Sequence, residues 1–188
     1  MNYSDASHQI NQVNGFMGSQ AQREFMFNLA KTTEKAAEIG SFKGLSAVIV
    51  LLGMNSVQRE AGEYYCIDTF EASNVELTSE STYDEFVRVT NGVDGKGQTK
   101  IVKGWSTAPE TLAQVPSNLD WVYIDGDHET DGVIADIEAY VPKVKEGGLV
   151  LFHDHTWESV KAGVDKCVSN KIIQHLCHFD DFGIYKKI

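Results

Sequence analysis

The sequence predicts an α/β fold: a mainly parallel seven-stranded sheet with helices on both faces and a C-terminal antiparallel hairpin. Three observations predict it. Runs rich in β-formers alternate with stretches whose apolar residues recur at helical spacing, the pattern of strand–helix–strand crossovers. Two final β-forming runs, 171–179 and 182–188, are joined only by the acidic turn Asp180–Asp181, so they pair as a hairpin. The 188 residues, 42% hydrophobic and 23% charged, suit one domain with one sizeable core.

Residues 1–18 are polar and aperiodic and are expected to form a flexible or docked N-terminal arm, leaving 19–188 as a single domain. From Ser19 to Lys31, Phe25, Met26, Leu29 and Ala30 recur at helical spacing. The short strand AAEIG ends in glycine and leads through SFKG into LSAVIVLLGM. The β-branched residues of that run favour a strand. Its length and the glycine turn ahead of it favour a buried helix, which is the reading adopted. EYYCIDTF is a strand whose β-formers stop at Asp68. A polar, acidic connection, 71–82, precedes the amphipathic helix YDEFVRVT, and NGVDGKGQ is a turn cluster. TKIVKGW is a strand, APETLAQV a helical turn or two, and NLDWVYIDGDH a strand running into a polar loop. Between Thr130 and Val141, Val133, Ile134, Ile137, Tyr140 and Val141 share one helix face, and Asp136 and Glu138 are expected to point away. Pro142 stops that helix. KEGGLVLFHDH is a glycine turn and a buried strand, and WESVKAGVDKCV a helix with Thr156 as its expected N-cap.

With 27 acidic against 16 basic side chains the formal charge is −11, and the lysines are scattered, so a nucleic-acid partner is not expected. The first twenty residues hold no Lys, no Arg and no apolar run, which argues against a secretion signal. No stretch approaches the roughly 20 apolar residues that span a bilayer, so no membrane partner is expected. Cys66, Cys167 and Cys177 are too sparse for a disulfide framework, and a reducing cytoplasm is the expected compartment. A small-molecule partner fits this surface, and a homodimer is compatible with it.

In such sheets ligands bind outside the carboxyl ends of the strands, near the point where strand order reverses. Five consecutive strand ends here finish in polar or glycine residues. They are Glu38, Gly40, Ser41, Lys43 and Gly44; Asp68; Trp105 and Ser106; Asp125, Gly126, Asp127 and His128; and His153, Asp154 and His155. The G-S-F-K-G turn matches neither the dinucleotide nor the phosphate-loop pattern. Asp68 stands where a strand-end acid accepts hydrogen bonds from ribose hydroxyls.

EIGSFKGLS, CIDTFE and WVYIDGDHETDGVIADIEAYVPKVKEGGLVLFHDH resemble the class I S-adenosylmethionine-dependent methyltransferases. The branch they are most similar to is a small, O-methyltransferase-like one with an I-D-G-D-H strand end and a downstream H-D. The similarity runs from about Arg23 to Asp165, and the sequence departs from the family in lacking its common G-x-G turn. The resemblance implies a Rossmann-like fold and S-adenosylmethionine as cofactor. It implies that Glu38, Gly40, Ser41 and Gly44, with Lys43 between them, surround the methionine and ribose, and that Asp68 holds the ribose hydroxyls. Ser106 would border the adenine, and Asp125 would sit near the methionine end.

Methyl transfer asks for alignment of a nucleophile with the S–CH₃ bond and, for a hydroxyl acceptor, removal of a proton. His128, His153 and His155 are candidate bases. Asp125, Asp154 and His155 come from adjacent strand ends and are the candidate ligands of a divalent metal. In metal-dependent relatives an amide stands where His155 does, which weakens the case for magnesium and leaves room for a softer metal or none. Bland readings stand beside these: Asp154 as a helix-start carboxylate, His128 as a loop-pinning hydrogen-bond partner. His175, Cys177 and His178 invite a zinc reading, but strand alternation would turn His178 away from the other two, so a structural strand is expected. The 71–82 connection and the N-terminal arm are the expected cover over an acceptor pocket.

The leading functional expectation is O-methylation of a small hydroxylated molecule, such as a sugar or a secondary metabolite. An N-methyltransferase, a nicotinamide-dependent enzyme on a related sheet, and a non-catalytic module that kept the fold are the alternatives.

Overall fold

The computed structural model describes residues 1–15, 17–58, 62–71 and 81–188. Among them the chain runs α1 (Tyr3–Ile10), α2 (Gln20–Ala30), β1 (Lys35–Ile39), α3 (Leu45–Asn55), β2 (Glu63–Asp68), α4 (Thr82–Asn91), β3 (Thr99–Lys103), α5 (Pro109–Leu112), β4 (Leu119–Ile124), α6 (Thr130–Tyr140), a 3-10 turn, β5 (Val144–Phe152), α7 (Glu158–Ser169), β6 (Ile173–Phe179) and β7 (Phe182–Lys187). The strands form one sheet in the order β3-β2-β1-β4-β5-β7-β6. The first five lie parallel, and β7 runs antiparallel to both β5 and β6. After β1 the chain winds outward to β3 and then returns to place β4 on the other side of β1. The crevice of this fold therefore opens between the ends of β1 and β4.

The apolar run 45–54 is the helix that its length predicted. Every residue from Leu45 to Met54 is buried, so α3 has no wet face and must be covered all round. It packs on the sheet face formed by Ala36, Tyr64, Cys66, Trp121 and Tyr123, and α1 and α2 cover it. Gly53 allows the close approach of α2, because a Cβ there would collide with Phe27 O. The opposite sheet face is covered by α6 and α7 through Val133, Ile137, Tyr140, Val160 and Val164.

The N-terminal segment departs from the aperiodic arm expected from its composition. Asn2 and Asp5 form a reciprocal cap, with Asp5 N–H donating to Asn2 Oδ1 (2.9 Å) and Asn2 N–H donating to Asp5 Oδ2 (3.0 Å). Tyr3, Ala6 and Ile10 are buried at helical spacing, Tyr3 edge-on to Phe27. Three positions among polar neighbours were too short a stripe to announce a helix. The N-cap of α7 is Trp157, not Thr156. The turn left by Asp154, which sits at φ 49, closes with Trp157 N–H on Asp154 O and absorbs one more residue. The acidic connection lies outside the described residues from 72 to 80.

Strand alternation also fails in β6. The ladder to β7 shifts register between His175 and Cys177. One extra residue puts His175 and His178 on the same face, with ring nitrogens 3.4 Å apart, where simple alternation had separated them.

Candidate active site

A cavity of about 1120 Å³ lies over the β1–β4 crevice. Its floor begins where β1 ends. Gly40 has φ 87 and donates its N–H to Ile67 O at 2.9 Å, while Asp125 N–H donates to Ile39 O at 2.9 Å. A Cβ on Gly40 would collide with the Asp125 carbonyl oxygen, so the glycine lets the ends of β1 and β4 touch. Asp68 at the end of β2 is fixed by its neighbours. Its Oδ2 accepts from Phe42 N–H (2.7 Å) and its Oδ1 from Phe70 N–H (2.6 Å), which leaves a lone pair on each oxygen.

Of the residues singled out in the sequence, Gly40, Asp68, Ser106, Asp125, Gly126, Asp127, His128, His153 and Asp154 line this cavity, and so does Trp105 on its exposed rim. Glu38, Ser41, Lys43, Gly44 and His155 do not. Glu38 is fully buried behind the wall and accepts from the Tyr64 hydroxyl at 2.8 Å; burial pushes its carboxyl up. Lys43 turns its ammonium to Glu85 (3.1 Å) on α4. Gly44 serves as the left-handed N-cap of α3. The glycine turn thus supplies the cavity with Gly40 and Phe42 and spends its other residues on bracing α3 and α4.

The far end of the cavity holds a knot of carboxylates and imidazoles. His153 Nδ1 lies 3.2 Å from Asp125 Oδ1 and 3.4 Å from Asp154 Oδ2. His128 Nε2 lies 3.0 Å from Asp154 Oδ2 and 3.8 Å from Asp125 Oδ1. Tyr123 OH donates to Asp125 Oδ2 at 3.1 Å. Burial would raise Asp125, but the His128 and His153 imidazoles outweigh it and hold its carboxyl below its ordinary range. His128 is raised, first by the Asp125 carboxylate beside it. Burial works to lower His153, yet Asp125, Asp154 and Asp181 together push it up to about 9.

His155 is not a member of this knot, which corrects the expected metal set. Its backbone N–H is held by Asp181 O at 2.7 Å, and its Nε2 meets the Tyr185 hydroxyl at 2.6 Å, so the ring turns under β7 and stacks on His178. Gly183 makes the room, since a Cβ there would sit 2.7 Å from the ring. Burial, with His178 nearby, lowers its pKa. Among the described residues the groups able to hold a metal are Asp125, His128 and Asp154, and His153, Asp154 and Asp181, each with ligand atoms within 4.8 Å of one another.

Two contributors, Asp181 and Asp136, escaped the sequence reading. Asp181, in the β6–β7 turn, reaches the cavity with its side chain hydrogen-bonded to Gln22 of α2. Gly15, Met17 and Gly18, between α1 and α2, line the cavity where the N-terminal arm was expected to cover it, held by Arg23, whose Nε and Nη2 both donate to Met17 O. Asp136, expected to face away, is buried on the cavity wall. It follows Val133 by three positions and precedes Ile137 by one, so it flanks the apolar stripe. That flank was the available signal.

Residues 37–155, well over half of the chain, match a family described as a methyltransferase domain. The chain belongs to that family. This methyltransferase is 26% identical over 164 residues to an uncharacterized protein of Acanthamoeba polyphaga mimivirus, covering 76% of the chain and 65% of the viral protein, so the chain spans about 65% of that relative's length. Its fold superposes on cofactor-bound Rv0187 from MTB with a TM-score of 0.71 and 15% identity, over 98% of this chain and 88% of that one. It superposes equally on an O-methyltransferase from Bacillus cereus in complex with SAH, with a TM-score of 0.70 and 13% identity, over 98% and 90% of the two chains. The sheet is the Rossmann-like one that the sequence predicted, and these solved structures share it. Among the described residues no helix is long and apolar enough to cross a membrane.

Proposed function

We propose that this methyltransferase transfers its methyl group to a hydroxyl of a small molecule. The observation that carries the reading is the arrangement of Asp125, His128, His153 and Asp154 at one end of a cavity whose other end holds Asp68 and Ser106. S-adenosylmethionine supplies an electrophilic sulfonium methyl. Gly40 and Asp68 bind and orient its ribose side, while Asp125 borders its methionine side. A hydroxyl entering beside Asp125 meets a ready proton acceptor in the His128 imidazole, and the carboxylates of Asp125 and Asp154 stabilise the imidazolium that results. Removing that proton and aligning the acceptor is most of what the chain must contribute, since positioning alone is worth about 7–11 kcal/mol of barrier.

The same knot fits a divalent cation. Asp125, His128 and Asp154 offer two carboxylates and one imidazole, and the buried Nε2 atoms of His128 and His153 lack a well-directed hydrogen bond. Three protein ligands leave positions open for an acceptor oxygen. The mixed nitrogen and oxygen set favours manganese, iron or zinc over magnesium, and such an ion would lower the acceptor's pKa.

Thermal unfolding with S-adenosylhomocysteine tests the cofactor site. At about 100 times its Kd it raises Tm by roughly 5–10 °C, and NAD does not. Turnover of hydroxylated acceptors by Asp154→Ala, with and without Mn²⁺ or EDTA, tests the knot. The variant keeps the thermal shift and loses at least about 100-fold in kcat. Full turnover by Asp154→Ala would remove the knot from the reaction.

A further inference from the structure

His175 and His178 lie outside the cavity, and the methyl-transfer reading leaves them unused. Both rings are exposed on β6, the edge strand of the sheet. Across the ladder His175 pairs with Tyr185 and His178 with Gly183, two positions apart on β7, so the bulge between His175 and Cys177 turns both rings to one face. Cys177 pairs with Ile184 and is the residue turned away. The zinc reading of this segment failed on strand alternation, and the bulge removes that objection.

The separation of the rings decides what they can do together. His178 Nδ1 and His175 Nε2 lie 3.4 Å apart. A well-formed hydrogen bond from an N–H spans about 2.7–3.2 Å, so the direct contact is slack. Two imidazoles on one tetrahedral zinc ion, with Zn–N bonds of about 2.0–2.1 Å, hold their nitrogens about 3.3–3.4 Å apart. The pair is therefore spaced for an ion between its rings. Both rings are also braced from beneath. His175 meets the Tyr185 ring edge-on, 5.2 Å between centroids, and His178 stacks at 5.8 Å on His155, whose Nε2 is tied to the Tyr185 hydroxyl. Donors fixed before the ion arrives lower the ordering cost of binding it.

We propose that His175 and His178 chelate a zinc ion on the outer face of the C-terminal hairpin, through His175 Nε2 and His178 Nδ1. Unlike the three-residue sets of the cavity, this site has two protein ligands and leaves two tetrahedral positions to water. A donor pair made of imidazoles alone disfavours magnesium and calcium, which take oxygen ligands. The site stands apart from the methyl-transfer reading and does not depend on it.

The test is calorimetric titration of the metal-free full chain with zinc chloride. Both three-residue sets of the cavity contain Asp154, so Asp154→Ala deprives each of a ligand and isolates the hairpin site. That variant still binds zinc, with a Kd of about 1–200 µM, as expected of half the ligands of a four-ligand structural site. On the same background His175→Ala or His178→Ala, each at an exposed position, weakens the binding at least about tenfold. Cys177→Ser leaves it unchanged. Binding that survives His178→Ala, or that is lost with Cys177→Ser, overturns the proposal, and so does the absence of binding below about 1 mM zinc. Histidine-ring NMR of the wild-type chain answers the same question even if Asp154→Ala does not fold. Zinc must shift the His175 and His178 ring signals, and signals that stay in place through the titration overturn the site.

Discussion

Asp136 shows at the scale of one residue what burying a carboxylate costs. Burial, opposed by the Ser106 hydroxyl and reinforced by Asp127, pushes its pKa up to about 6. The native state therefore holds this proton more tightly than the unfolded chain, whose aspartate titrates near 4. Stability from this group is complete below about pH 4 and is lost as pH rises toward 6, at a cost of about 3 kcal/mol. Asp136→Asn removes the penalty. Ligand-free Tm of the variant should exceed wild type at pH 7.5 and match it at pH 4, and a constant difference across that range would contradict the burial argument. Asp68 predicts the reverse balance: Asp68→Ala deletes the ribose acceptor and should abolish the S-adenosylhomocysteine shift in Tm while changing activity through KM. Strand-end residues such as Asp68 and Asp125 were legible in the sequence because β-formers stop at them. Asp136 and Asp181 were not, because a polar residue on the rim of a helix stripe or in a hairpin turn has the same local pattern whether it faces water or a cavity.

Individual elements were legible to the extent that local periodicity decided them. α3 and α6 announced themselves by length and by apolar spacing, and β4 by its run of β-formers. β6 was legible as a strand but not in its facing, since a one-residue bulge reverses every facing beyond it and leaves no mark in composition. The turn after β1 tests how strictly an element boundary is set. Gly40→Ala forces φ 87 on an alanine and drives its methyl into the Asp125 carbonyl, so denaturant unfolding should show a loss of more than about 2 kcal/mol, together with weaker cofactor binding. For α1, Ile10 is fully buried in the cluster around α3. Ile10→Ala should cost about 2–5 kcal/mol in the same assay, as a core truncation does. A loss below about 0.5 kcal/mol would return this segment to the status of a loose arm.

At the scale of the whole molecule, the strand–helix alternation and the closing hairpin predicted the sheet and the place of its crevice. They predicted that the strand ends meet there, but not the side-chain ties that close the site from outside the sheet. The Gln22–Asp181 hydrogen bond joins α2 to the last hairpin, and Arg23 holds the α1–α2 connection against the cavity through Met17. Long-range pairings of this kind depend on assembled geometry, to which no window of sequence has access.

The all-round apolar character of α3 has one more consequence. A helix of this kind is greasy in isolation, and α1 and α2 are what hide it. Peeling them back would uncover a sticky cylinder long before the sheet itself came apart. Heating should therefore lead this protein to clump from an early, partly opened form, and a light-scattering rise that precedes loss of far-ultraviolet circular dichroism would reveal it.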